Sequence, residues 1–216
     1  MNFKKIASTC YLCSLFTMLA SPTWADMQSE IQQLQQRWAQ VNYQLAGKTQ
    51  LTAFETLMED AENLAKKHPD AAPVWIWNGI IKSTYAGAKG GLSALKFAKA
   101  SKADLEHALE IEPQAMNGSA YTSLGTLYFN VPGWPIGFGD DDKAEELLLK
   151  ALAINPTGID SNYFYGEYLL SEKRYKEAQT FLLKAQSAPK RQNRPLADTG
   201  RQKEISEALV TVRKKL

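Results

Sequence analysis

The sequence predicts an all-α chain built as an αα-hairpin repeat solenoid, and three observations carry that expectation. Apolar residues recur at alternating steps of three and four, a glycine flanked by aromatics returns along the chain in one frame, and prolines follow the second helix of successive units. Two of the units have enlarged internal connections, and a last helix is expected to cap the stack.

The chain opens Met1-Asn2-Phe3-Lys4-Lys5, continues with a mostly apolar run from Ile6 to Ala20, and then reads Ser21-Pro22-Thr23-Trp24-Ala25. That order of basic, apolar and small residues is the pattern of a secretory signal peptide over 1–25, with cleavage near Ala25. The apolar run is short for a membrane span and is broken by Ser8 and Thr9. The expectation is a periplasmic or secreted protein with no membrane span in its mature chain. Cys10 and Cys13 both fall inside this segment, in no convincing lipidation context, so residues 26–216 contain no thiol for a nucleophile or a thiolate metal site. Of the 25 basic residues, Lys4 and Lys5 also lie there, which leaves the remainder balanced against 23 acidic residues. A neutral chain has no general electrostatic attraction for nucleic acid or an anionic membrane, so no nucleic-acid partner is expected.

The elements of residues 26–216 follow in order. Ile31, Leu34, Trp38, Val41 and Leu45 form one helical stripe, with Gly47 as a natural stop. Leu51, Phe54, Met58, Ala61 and Ala65 form a second stripe that ends at His68-Pro69, giving a first hairpin over about 27–68. A second hairpin is expected over about 72–112, a third over about 117–155 and a fourth over about 159–188. "WIWNGIIK" (75–82), "YTSLGTLY" (121–128) and "NYFYGEYL" (162–169) share a frame around Gly79, Gly125 and Gly166. The small residue lets the two helices of a hairpin approach closely, and large residues nearby fill the grooves beside it. "SAPKRQNRPLADTG" (187–200) reads as a linker, with Asp198 able to cap a final helix over about 198–216 whose apolar stripe is Ile205, Leu209, Val212 and Leu216.

Tyr121, Leu124-Gly125 and Tyr128 stand at the spacing W-x-x-L-G-x-x-Y, and Ala144, Leu148, Ala151 and Pro156 supply the matching second half. The chain therefore resembles the tetratricopeptide repeat (TPR) family, with Tyr121 in the tryptophan position. Together with "STYAGAKGG", "VPGWPIGFGDDDKAEELL" and "NYFYGEYLL", it looks like a group of exported bacterial TPR proteins. More distantly it is similar to the T component of TRAP transport systems, an exported helical protein with a small-ligand cavity. The resemblance implies a non-enzymatic protein that mediates protein–protein interaction or envelope complex assembly. Its alternative is a periplasmic binding module for a small apolar ligand associated with transport. The lysine and asparagine clamp with which some TPR proteins grip a peptide carboxylate is not reproduced. The sequence sets no oligomeric state.

Spacing locates the unusual parts. Gly166 to Ala178 is 12 residues, as the repeat requires, whereas Gly125 to Ala144 is 19, so seven extra residues lie in the "VPGWPIGFGDDD" connection. Gly79 to Ser101 is 22, which places ten extra residues in "YAGAKGGLSALKFAKA" (85–100), where Gly87, Gly90 and Gly91 mark the break. Connections within units lie along one edge of a repeat stack, so the two enlarged connections should be neighbours in space.

Conventional chemistry finds little purchase. His68 and His107 have no second ligand at a metal spacing. "GFGDDD" (137–142) puts carboxylates where a dinucleotide loop needs helix amides, and "GAKGG" (87–91) lacks the end of a phosphate loop. Asp140, Asp141 and Asp142 lack the alternation of a calcium loop, and Asp142 matches a helix-capping box with Glu145. No catalytic, metal or cofactor residue is assigned, and the chain is read as not an enzyme. The candidates for binding are Trp134, Ile136 and Phe138 in the long connection, Tyr85 and Lys89 in the glycine-rich one, and Phe129 and Tyr163 on the concave face. Ile76, Ile80, Thr122, Thr126 and Glu167 share that face. The loop aromatics either form an exposed contact edge or fold back over the end of the stack.

Overall fold

The computed structural model describes residues 24–216, and the segment carrying the signal-peptide pattern lies almost wholly outside them. The described residues form helices α1 (Trp24–Gln44), α2 (Gly47–Lys67), α3 (Ala72–Lys89), α4 (Leu95–Ile111), α5 (Ala115–Asn130), α6 (Asp141–Ile154), α7 (Ile159–Ser171), α8 (Tyr175–Gln186) and α9 (Pro195–Arg213), with one 3-10 turn at Leu92–Ala94. No helix among them is long and apolar enough to cross a membrane.

The stripes read from the sequence are buried except at their ends, where Leu45 and Leu51 are half-buried and Leu216, beyond the end of α9, is exposed. Ile31, Leu34, Trp38 and Val41 of α1 meet Phe54, Leu57, Met58 and Ala61 of α2, and Val74, Trp77 and Ile81 of α3 complete that core. The breaks have local causes. Ala46 is extended and Gly47 takes φ 58°, so Gly47 opens α2 rather than closing α1. Glu112, extended before Pro113, ends α4, because the proline ring disfavours a helical residue before it. Asp140, not Asp142, caps α6: its Oδ1 accepts the Lys143 amide at 2.9 Å. Asp198 likewise lies inside the first turn of α9 and accepts from the Arg191 amide and Nε.

α1/α2, α3/α4, α5/α6 and α7/α8 pack as hairpins, and α1, α3, α5 and α7 form the inner layer of the stack. The glycine frame is a set of equivalent notches. A Cβ added at Gly79, Gly125 or Gly166 would stand 2.6, 2.7 or 2.8 Å from Cγ of Leu105, Leu148 or Leu182, one leucine in each partner helix. Those three leucines are fully buried, so the close approach of the paired helices depends on the missing side chains.

The inserted residues are housed in two ways. Around Gly90-Gly91 they chiefly lengthen α3 and α4, leaving a short connection whose two glycines hold φ of 64° and 68°. Between α5 and α6 they form a compact loop, with Gly139 N donating to Pro132 O, Gly137 N to Gly133 O and Asp140 N to Tyr128 O. The Trp134-Pro135 peptide is cis. The two connections are neighbours, as expected: a Cβ on Gly137 would lie 3.4 Å from Leu95 Cδ1.

α9 does more than cap the last repeat. Ile205, Leu209 and Val212 pack with α7 and α8, while Ala197 joins the core of α1–α3. Gly200 sits against the ring of Tyr43, whose hydroxyl donates to Glu204. The final helix thus returns to the first, across the concave side of the stack.

Candidate ligand groove on the concave face

Between the inner helices and α9 lies a cavity of about 810 Å³. One end is apolar, formed by Leu92, Leu95, Ala98, Leu127, Val131 and Ile136. The middle is walled by hydroxyls, Ser83 and Thr84 of α3 and Ser119, Thr122, Ser123 and Thr126 of α5. Several of these spend their proton on their own helix, as Thr84 and Ser83 do on Ile80 O and Thr126 does on Thr122 O, so they present oxygen atoms at little polar cost. Thr84 also accepts from Trp38 Nε1 at 3.0 Å.

The other end is charged. Asp160, at the start of α7, accepts from Arg201 Nε at 2.9 Å and Arg191 at 2.6 Å, and Arg201 also reaches Glu204 at 2.5 Å. Burial opposes ionisation of Asp160, yet the guanidiniums of Arg201, Arg191 and Arg194 outweigh it and hold its carboxyl well below the usual carboxylate range. The Arg201 guanidinium lies 4.4 Å from the ring centroids of both Tyr163 and Phe164. Burial raises the Tyr163 phenol well above its usual value and pushes Tyr43 up to about 12.

Arg194, just before α9, differs from its neighbours. Its guanidinium lies over Trp77 at 5.1 Å from the ring centroid, and its buried Nε has no hydrogen-bond partner. Burial, helped by repulsion from Arg191 and Arg201 and only partly offset by attraction to Asp160 and Asp198, lowers it to about 10, so it is still a cation at neutral pH.

The residues expected from sequence divide between this groove, the rim and the core. Ile80, Thr122, Thr126, Ile136 and Tyr163 line the cavity. Trp134 stands on the loop, 89% exposed. Phe138 instead folds back on Tyr128, ring centroids 5.5 Å apart, and anchors the loop to the stack. Tyr85 is a core residue, 1% exposed, with its hydroxyl donating to Glu55 at 2.5 Å. Lys89 lies beside Tyr85 and over Phe97. Phe129 packs on Tyr168 at 5.9 Å, and neither it nor Lys89, Tyr85, Trp134 or Phe138 lines the cavity. Sequence reasoning missed Trp38, Trp77, Phe164, Asp160, Arg194, Arg201 and Glu204. The alternating salt-bridge residues of α9 could have flagged a charged inner face, but nothing local tied them to α7.

No protein-family model and no curated protein matches the sequence. Among solved structures, TTC0263, a thermophilic TPR protein of Thermus thermophilus, superposes with a TM-score of 0.55 over 85% of this chain and 99% of its own, at 18% identity. The chain has a TPR fold. PilF of Pseudomonas aeruginosa, 12% identical, superposes only loosely, with a TM-score of 0.36 over 86% of this chain and 91% of its own. What the TPR fold contributes here is geometry: an inner layer of first helices with an edge of connections, and α9 laid across the open side. Among the described residues no group of three or more His, Cys, Asp or Glu is placed to hold a metal ion. His107 is spent on the edge of Trp75, and His68 faces Glu30 at 3.7 Å.

Proposed function

We propose that this is an exported, non-enzymatic TPR-like protein that docks a protein partner, in envelope complex assembly, at the rim where the α3–α4 and α5–α6 connections meet. The observation that carries this reading is the exposure of Trp134 on a loop that is otherwise hydrogen-bonded and anchored. Leu92, 78% exposed, and Ile136 extend the apolar rim across both connections. A rigid, wet aromatic offers a large contact area at little entropic cost, which is the pattern of an interface anchor. Export is supported by the basic, apolar and small-residue order of residues 1–25. Pull-down from periplasmic extract should recover a partner with the wild type and lose it with Trp134→Ala combined with Leu92→Ala. Equal recovery by both would remove the rim as the contact.

A second reading, a binding module for a small apolar ligand, is favoured by α9 lying across the groove. The 810 Å³ cavity it bounds falls in the range of about 300–1,000 Å³ usual for small-molecule sites. Native mass spectrometry of protein gently purified from its own host should show a retained small molecule; ligand-free protein in repeated preparations contradicts it.

A further inference from the structure

We infer that the concave cavity takes an amphipathic monocarboxylate, its carboxylate on Arg194 and its apolar body along α3 towards Leu95, Leu127, Val131 and Ile136. This rests on the small-ligand reading and names the chemistry of that site.

The charged end contains three guanidiniums and three carboxylates, but they are unequally satisfied. Arg201 is shared between Asp160 and Glu204, and Arg191 between Asp160 and Asp198. Asp160 and Glu204 line the cavity with their charge already engaged, so neither calls for a cation from a ligand. Arg194 lines the same cavity with a buried Nε that no acceptor meets and no ion pair of its own; the face of Trp77 is its packing partner. The guanidinium is half-buried and carries no ion pair, and a carboxylate is the ligand group whose two oxygens match its fork. Flanking Trp77 and Trp38 leave an apolar surface beside the charge.

The rest of the cavity fixes what is attached to that carboxylate. α3 forms its long wall from Trp77, beside Arg194, to Gly90 at the apolar end, roughly 20 Å of helix at its usual rise. Of the hydroxyls between, those of Ser83, Thr84, Ser119 and Thr126 are turned to their own helix, and the far end is mostly carbon, its one amide, Asn130, donating to Thr126 O. A single head group followed by a long acyl or comparable apolar body fits this order. A dicarboxylate would bury a second charge among leucine, valine and isoleucine side chains with nothing to pair it.

The test uses the mature chain, stripped of bound lipid and titrated with dodecanoate, dodecanol and a tetrapeptide ending in a free Leu carboxylate, read by calorimetry. Dodecanoate is expected to bind at least about tenfold more tightly than dodecanol, the scale of a charged hydrogen bond. Arg194→Met should erase that preference, and Arg194→Lys should restore part of it. Equal wild-type affinity for acid and alcohol overturns the carboxylate subsite and leaves the small-ligand reading standing. Failure of both to bind overturns the two together, and clear preference for the tetrapeptide replaces the free acid with a chain terminus. The comparison of acid with alcohol on the wild type needs no variant, so a poorly folding Arg194→Met does not blunt it.

Discussion

Trp134 and Phe138 stand four residues apart in one loop and do opposite things. Phe138 packs edge-on to Tyr128 under Lys102, whereas Trp134 touches water. Trp134→Ala is therefore expected to shift stability by less than about 0.5 kcal/mol, and Phe138→Ala to cost about 2 kcal/mol, less than for a fully buried ring, both read from urea midpoints. Alternation along the sequence marked both residues but could not separate them, because in a loop tied by Gly139, Gly137 and Asp140 amides the backbone path, not a period, sets where a side chain points. Asp160 is the other decisive residue. Asp160→Asn leaves the buried Arg201 with reduced compensation and is expected to cost about 3 kcal/mol in chemical denaturation. Its native carboxyl is held below the ordinary value, so the folded state releases that proton more readily than the unfolded one. The contribution is complete above about pH 4, the unfolded aspartate range, and is lost as pH falls through the folded value. The stability gap between wild type and Asp160→Asn should narrow accordingly in acid.

At the scale of elements, the hairpins were legible because their determinants are local: an apolar stripe, a glycine notch and a terminating proline. Gly125 against Leu148 is the clearest case. Although alanine is a better helix former than glycine by about 1 kcal/mol, Gly125→Ala places a methyl against Leu148 and the Ala144 carbonyl and should cost about 1–3 kcal/mol net. Leu148→Ala alone creates a cavity, and a double-mutant cycle should show the two changes partly relieving each other. The ten added residues near Gly90 were harder to place, since "STYAGAK" and "LSALKFAKA" are rich in helix formers and only the Gly90-Gly91 pair enforces a break. Helix starts also slipped by two or three residues at Asp140 and Pro195, where several candidate caps stand together.

At the scale of the molecule, the return of α9 to α1 turns an open repeat stack into one with a bounded cavity. Periodicity assigned Ile205, Leu209 and Val212 to the last repeat, correctly. It could not show that the first half of the same helix, Ala197, Gly200 and Arg201, meets Tyr43 and the core of the first hairpin, because that contact spans about 160 residues of chain. Gly200→Val sets a branched side chain into the Tyr43 ring and should lower stability by about 1–3 kcal/mol. Hydrogen exchange should then rise in α1 and α9 while α5 and α6 stay protected. The partner-docking reading belongs to this scale too, since it needs the two connections side by side on one edge. A photo-cross-linking residue introduced at position 134, and for comparison at the exposed Leu183 of α8, tests it directly in cells of the native host. A discrete protein adduct from position 134 with none from 183 is the expected result; no adduct from 134, or the same adducts from both, contradicts it.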